Sequence, residues 1–244
     1  MKEQYTFKLK DRFEVAEGTM AFVLDTTSAP DFSFIAGQYM EIGLKKMLYA
    51  DEKKDHREFS IASSPNDKGM LMIATRMRGS AFKRSLAEMP LGNEVKAEGP
   101  HGSFTLHENP NLKAAFIAGG IGITPIRSMV KYAAEEKLPH AITLLYSNRT
   151  PEVAPFLDDL QKWAAENPNF RFVPTITDMQ SAKKPWNGRT RRIDAAFLKE
   201  TLGDGGNTIF YVVGPPGMVQ GVTEALKEFG ASRDDIRFEE FTGY

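Results

Sequence analysis

Phe7, Leu9, Phe13 and Val15 fall on odd positions through an otherwise polar stretch, the period of a half-buried strand. Residues 20–24 form a second apolar run, and a turn-rich segment over 25–33 follows it. Residues 37–44, 57–62, 71–76 and 94–98 read as further strands, with a polar loop predicted over 48–56. Between the last two strands, 80–89 has a helical pattern opened by Ser80, a side chain well suited to cap a helix. Many short strands with a single helix predict a small antiparallel β-barrel, closed or partly closed.

After about Glu108 the pattern changes. Short apolar runs at 114–118, 141–146, 170–175, 208–213 and 236–239 alternate with helical patterns at 125–136, 154–166, 194–202 and 215–228. Strands alternating with helices predict βαβ units and a doubly wound parallel sheet, which takes ligands at the carboxyl ends of its strands near the switch point. Two domains are therefore expected, a barrel over 1–108 and an α/β domain over 112–244, with Asn109-Pro110-Asn111 as the linker. No internal repeat or low-complexity segment interrupts either half.

The 244 residues suit two domains better than one. A formal net charge of -1 provides no global field to draw the chain to nucleic acid or anionic lipid. Lys183, Lys184, Arg189, Arg191 and Arg192 make a local basic cluster, read as a solvated loop. The absence of cysteine excludes a disulfide framework, a thiol nucleophile and a Cys-ligated iron–sulfur centre in this chain. Residues 1–7 lack the apolar core of a signal peptide, and no apolar run is long enough to cross a bilayer, so a cytoplasmic monomer is expected. His56, His101, His107 and His140 show no metal-ligand spacing, and neither a G-x-S-x-G elbow nor a P-loop is present.

The chemistry concentrates in two motifs. In Arg57-Glu58-Phe59-Ser60 a guanidinium can pair with a pyrophosphate, an aromatic can lie on a flat ring, and a hydroxyl can meet a polar ring atom. Strand alternation puts Arg57 and Phe59 on one face and Ser60 on the other, so a strand end or kink is needed to bring all three to one ligand. The other reading is a barrel strand with a surface Arg and a core Phe. Gly79-Ser80-Ala81-Phe82 opens the helix, where backbone N–H groups make an anion site; an ordinary Ser cap is the alternative. In the second half, Gly119-Gly120-Ile121-Gly122 joins an apolar strand to a helix, with Thr124 as a candidate cap and Pro125 in the first turn. It is not the G-x-G-x-x-G fingerprint, and a glycine turn that serves packing alone is the alternative.

Taken in order, these motifs resemble the ferredoxin–NADP reductase superfamily. The resemblance rests on Arg57-x-Phe59-Ser60 continuing to Pro65, the Gly79-Ser80 helix start, residues 99–104, Gly119-Gly120-x-Gly122-x-Thr124-Pro125 and Val213-Gly214-Pro215-Pro216-Gly217-Met218. It implies a flavin barrel followed by a NAD(P) domain. By position, Arg57 would hold the flavin phosphate, Phe59 lie against the isoalloxazine and Ser60 approach its N5. Ile61, Ala62 and Ser63 would line the ribityl chain, while Gly79, Ser80, Ala81 and Phe82 meet the pyrophosphate. Many relatives have Tyr at Phe59 and Cys at Val213. Gly119, Gly120, Gly122, Thr124, Pro125, Gly214, Pro215 and Met218 would surround the nicotinamide nucleotide. Ser147 and Arg149 would reach the adenosine ribose, with Arg189 or Arg191 assisting, which favours NADPH over NADH; a surface Arg149 without a ligand is the alternative. At the C-terminus, Glu240 would relay a proton and Phe241 or Tyr244 shield the flavin, against the alternative of a frayed tail. The implied function is a flavin-dependent NAD(P)H oxidoreductase that uses FAD rather than FMN, holds no metal, and passes electrons to a separate acceptor such as ferredoxin or flavodoxin. A small-molecule acceptor (free flavin or a ferric chelate) and a non-catalytic flavin-binding electron-transfer subunit are the rivals.

Overall fold

A computed structural model describes residues 3–49 and 55–241. The first half forms strands β1 (Gln4–Ala16), β2 (Thr19–Asp25), β3 (Tyr39–Leu44), β4 (His56–Ser60), β5 (Met70–Arg76) and β6 (Glu94–His101), with helix α1 (Ala81–Glu88) before the last of them. The strands pair in the order β4-β3-β6-β1-β2-β5, every neighbour antiparallel. A bridge from Ile61 to Ile73 joins the two ends and closes the barrel. Part of the predicted 48–56 loop lies outside the described residues, and its last residue opens β4.

Barrel closure leaves one interior, which Phe7, Leu9, Met40, Ile42, Ile73 and Val95 fill, and α1 adds Phe82 and Leu86. The odd-residue pattern of β1 holds only up to Leu9. A register shift between Leu9 and Asp11 inserts an extra residue, so Phe13 emerges 43% exposed and Val15 turns to the opposite side. Strands β2 and β5 are buried on both faces. Phe22, Leu24, Leu71 and Ile73 enter the barrel, while Ala21, Val23, Met72 and Ala74 face the second domain. Two-sided burial is why these strands read as continuous apolar runs and not as alternation.

The second half contains β7 (Lys113–Gly119), α2 (Ile123–Glu135), β8 (Ile142–Asn148), α3 (Leu157–Glu166), β9 (Phe170–Ile176), α4 (Ala195–Leu202), β10 (Thr208–Gly214), α5 (Pro216–Phe229) and β11 (Ile236–Glu240). The sheet is parallel, in the order β11-β10-β7-β8-β9. The chain moves outward from β7 to β9 and then crosses to β10, so the switch point lies between β7 and β10. Alternation divides the central strands between two layers. Phe116, Leu144 and Tyr211 pack with α2 and α3, and Ile117, Leu145 and Val212 with α4 and α5. Helix α3 starts at Leu157, later than its polar pattern suggests, because Pro155 restricts the preceding backbone and Phe156 sits at φ 58°.

A single apolar cluster spans both domains, from Ala21, Val23 and Met72 to Phe116, Ile126 and Met129. The connection over 102–112 is also fastened. His107 donates its backbone N–H to the Tyr211 hydroxyl (2.9 Å), its ring Nε2 reaches Leu112 O (3.0 Å), and His140 Nε2 reaches His107 O (2.9 Å). The fold thus brings together two histidines that are far apart in sequence, and they serve hydrogen bonding: among the described residues no cluster fit to hold a metal occurs. Among them too, no helix is long and apolar enough to cross a membrane.

Candidate functional site

Strand β4 delivers the first motif to the domain boundary. Arg57 and Phe59 turn to the same side, as alternation requires, and both meet Phe82 of α1. The Arg57 guanidinium carbon lies 5.3 Å from the Phe82 ring centroid, and the Phe59 ring lies 6.1 Å from it. Phe59 is 7% exposed and belongs to the barrel core, so little of its ring remains to meet a ligand. Ser60 lies on the other face with Glu58. Beyond it, Ile61, Ala62 and Ser63 expose no surface. Ala62 O accepts from Arg127 (2.7 Å), Ser63 O accepts from the Ser128 hydroxyl (2.6 Å), and the Ser63 hydroxyl accepts the Met72 N–H (3.0 Å). The three residues expected along a ribityl chain thus have their side chains turned into the protein. Their neighbours enclose them, and they fasten the flavin strand to α2.

The start of α1 is built to receive an anion. Gly79 adopts φ 50°, Ser80 caps the helix by accepting Lys83 N–H (3.3 Å), and the first-turn N–H groups point out of the helix end. Phe82 is fully buried, so only its backbone can serve a phosphate. Lys83 is buried too, its ammonium donating to Arg76 O (3.1 Å), and burial, then the charges of Arg57 and Arg78, push its pKa down to about 8. Positive charge from Lys83, Arg57 and Arg78 is thus felt at the start of a helix, an arrangement that suits a pyrophosphate.

This predicts a pH dependence. A bound pyrophosphate stabilises the charged ammonium and raises the Lys83 pKa above 8, so binding above that pH takes up a proton. FAD affinity is then expected to fall by up to about tenfold per pH unit above roughly pH 8. In Lys83→Met the affinity at neutral pH drops by about tenfold or more, and the slope disappears. Fluorescence titration of FAD across this range measures both; an unchanged slope in the variant refutes the assignment.

On the nicotinamide side, β7 ends at Gly119 and a 3-10 turn over Gly120–Gly122 leads into α2. Gly120 has φ 55°, a left-handed conformation that favours glycine, and its carbonyl accepts from the buried Tyr146 hydroxyl (2.9 Å). Across the boundary, the Arg76 guanidinium lies against it: a Cβ on Gly120 would come within 2.9 Å of Nη2. Thr124 does not cap α2. The capping position is Gly122, and the Thr124 hydroxyl, buried inside the first turn, donates back to Ile121 O (3.1 Å). Pro125 occupies the first turn as expected.

The turn after β10 packs directly on this one. Cβ atoms at Gly119 and Gly214 would collide with the sulfur of Met218, which lies over both turns. Pro215 is exposed at the start of α5, and Val213 is fully buried in the shared core. Ser147 pairs in register with Gly119, so the carboxyl edge of the sheet runs from the glycine turn past Ser147 to Arg149. Arg149 is held by Asp178 (2.8 Å).

The C-terminal strand returns the chain to the same place. Phe241 N–H donates to Gly214 O (2.9 Å), and its ring packs against the shared core. Tyr244 lies outside the described residues. Glu240 is exposed, whereas Glu239, paired in register with Val213, turns inward. One oxygen of Glu239 is buried without a hydrogen-bond partner among the described residues. Burial, then the charge of Glu58, push this carboxyl up to about 7. Glu58 and Ser60 share a face of β4, so the inward glutamate approaches the strand on the Ser60 side. The buried carboxyl on this strand is thus Glu239, the neighbour of the expected Glu240.

Two family models match the chain: the oxidoreductase FAD-binding domain over residues 6–106 and the oxidoreductase NAD-binding domain over residues 116–224. The chain belongs to the ferredoxin–NADP reductase superfamily. It is 27% identical over 217 residues to the reductase component of propane 2-monooxygenase from Rhodococcus jostii, a match that covers 86% of this chain and 56% of that protein. It is 29% identical over 217 residues to ferredoxin–NADP reductase B from Sorangium cellulosum, with 86% of each covered. The flavohem-like FAD/NAD-binding domain of nitric oxide dioxygenase from Vibrio cholerae shares the fold at a TM-score of 0.84 and 20% identity, covering 97% of this chain and 98% of that one. The chain spans 56 to 66% of the length of the oxygenase reductase components it matches.

Within this superfamily site, sequence motifs missed Arg76, Arg78, Lys83 and Glu239. The first three flank the helix start and were legible as charges near a cap, without a sign that they converge. Glu239 was indistinguishable from Glu240, because neighbours on an edge strand differ only in the face they turn.

Proposed function

We propose that the chain is a NAD(P)H-dependent flavoprotein reductase, with residues 1–108 holding FAD and 112–244 holding the nucleotide. Electrons then leave to a separate acceptor protein, such as ferredoxin, flavodoxin or the oxygenase component of a multicomponent system. The observation that carries this reading is the meeting of two anion-binding starts at one boundary: α1, with Arg57, Arg78 and Lys83, and the glycine turn before α2, with Arg76 between them. The names of the relatives, which include oxygenase reductase components and a ferredoxin–NADP reductase, support the acceptor class. Bound FAD supplies a ring that accepts hydride at N5 and gives electrons up again. Arg57, Lys83 and the start of α1 orient it, the two glycine turns bring the nucleotide to it, and the shared core and Phe241 exclude water. Ser60 offers a hydroxyl, and Glu239 holds a proton near neutrality.

Anaerobic mixing tests the proposal. The absorbance of the FAD-loaded protein is expected to bleach with NADH or NADPH and to recover with a protein acceptor faster than with free flavin or a ferric chelate. Failure of both nucleotides to bleach it would favour the non-catalytic subunit, and equal turnover with every acceptor would argue against a dedicated protein partner. In Glu239→Gln the proton-dependent step is expected to slow by about tenfold or more at neutral pH. The wild-type rate of that step falls as pH rises through about 7, because the carboxyl then loses its proton. The variant lacks this inflection, and an identical profile in both would remove Glu239 from the relay.

A further inference from the structure

We propose that a groove between the two domains binds a small aromatic ammonium, with Glu152 as its counter-charge and Phe13, Phe156 and Trp186 as its walls. The groove is a cavity of about 700 Å³. Strand β1 of the barrel supplies one side, and the segment before α3 and the loop after β9 supply the other. None of the lining residues belongs to the glycine turns or to the start of α1, so the groove is separate from the flavin and nucleotide sites.

The aromatic walls are already in place. The register shift in β1 turns Phe13 toward this groove, 43% exposed. Phe156 sits at φ 58°, a conformation rare for a bulky residue and one that collects at ligand-contact sites. Its ring lies 4.5 Å from the Arg127 guanidinium carbon, which holds it in position. The Trp186 indole N–H donates to Arg189 O (2.9 Å), and its ring covers Gly188, where a Cβ would come within 2.6 Å of it. Aromatic surfaces around an open cavity of this size suit a flat apolar body.

The charges in the groove decide what that body carries. Glu152 is only 9% exposed. Its Oε1 accepts Lys183 N–H (3.0 Å), while Oε2 is buried with no hydrogen-bond partner among the described residues. Burial by itself would raise its pKa, but the backbone N–H of Lys183 and its other polar neighbours outweigh this. The carboxyl is held below the usual carboxylate range and is charged at neutral pH. An unpaired buried oxygen is costly, and a donor in the groove would satisfy it after a rotation of the side chain. The nearby cations do not supply that donor. Lys183 turns its ammonium out to Glu17 (2.6 Å), and the terminal nitrogens of Arg127 are committed to Asp159 (2.9 Å) and Ala62 O (2.7 Å). Asp158 adds a second negative charge to the lining, and Lys184 stands exposed at the rim. An unmatched carboxylate among aromatic rings suits a cation with N–H donors on a flat apolar frame.

Calorimetry of the FAD-loaded protein with three probes of one shape tests this: phenethylammonium, 2-phenylethanol and phenylacetate. The cation is expected to bind at least about tenfold more tightly than the alcohol, and the anion no more tightly than the alcohol. Glu152→Gln should reduce the preference for cation over alcohol by about tenfold. Phe13→Ala should weaken both by about fivefold and leave the preference intact. Saturating 5′-AMP should leave the cation affinity unchanged. Tighter binding of phenylacetate, a preference that Glu152→Gln does not alter, or displacement of the cation by 5′-AMP overturns the inference. If Glu152→Gln fails to fold, Phe13→Ala decides, since its side chain is exposed: an affinity equal to wild type overturns the inference.

Discussion

Gly122→Ala is expected to lower the rate of flavin reduction by nicotinamide nucleotide by at least about a hundredfold while the protein still takes up FAD. A Cβ at this position would meet Val213 O at 2.7 Å, Val213 C at 2.9 Å and Gly214 Cα at 3.0 Å. All three are backbone atoms in a parallel sheet and cannot swing aside. The turn after β7 and the turn after β10 must therefore separate, and they are the two walls at the switch point. Hydride transfer depends on ring placement, and a displacement of about 1 Å is worth on the order of a hundredfold. Gly119→Ala provides the contrast. Its Cβ would come within 2.1 Å of the Met218 sulfur, near the end of a flexible side chain that can move away, so the loss should be much smaller. Stopped-flow reduction of both FAD-loaded variants makes the comparison. A Gly122→Ala rate close to wild type would mean that the contact between the turns does not set the geometry.

Arg127→Ala is expected to destabilise the folded protein by about 3 kcal/mol, roughly the loss of one charge-assisted hydrogen bond together with its stacking surface. The guanidinium is buried in α2 and joins both domains. One nitrogen donates to Ala62 O (2.7 Å) directly after the flavin strand, and another to Asp159 of α3 (2.9 Å). Its carbon lies 4.5 Å from the Phe156 ring and 5.1 Å from that of Trp163. Truncation leaves a buried carbonyl without its donor and opens space between two aromatic rings. For a chain of this size the thermal midpoint should fall by about 6 to 12 °C, as calorimetry can measure. Arg127→Lys should recover only part of this, since an ammonium cannot bond both oxygens and stack on a ring at once. A midpoint within about 2 °C of wild type in the alanine variant would contradict the role of Arg127 as a clamp.

The chain order of strands and helices was legible because each element is decided locally. Period-two runs mark β1 and β3, continuous apolar runs mark strands buried on both faces, and Ser80 caps α1 by a contact three residues long. The glycine turn was equally visible, since a left-handed Gly120 needs no distant partner to declare itself. Local rules also failed locally. The bulge in β1 turned Phe13 out, and Thr124, a good cap by type, lies two residues past the capping position of α2.

By itself, then, the sequence determined the two-domain plan, the barrel and parallel sheet, and the motifs Arg57-x-Phe59-Ser60 and Gly119-Gly120-x-Gly122, because these depend on neighbours within a few positions. Only the tertiary structure decided what those motifs face. Arg149 acquires its carboxylate partner from another loop, Glu239 is buried and Glu240 exposed because they turn to opposite faces of β11, and Ala62 becomes an anchor through a helix 65 residues away. In each case the deciding quantity is a charge or a buried surface supplied across space, and no local pattern along the chain carries that information.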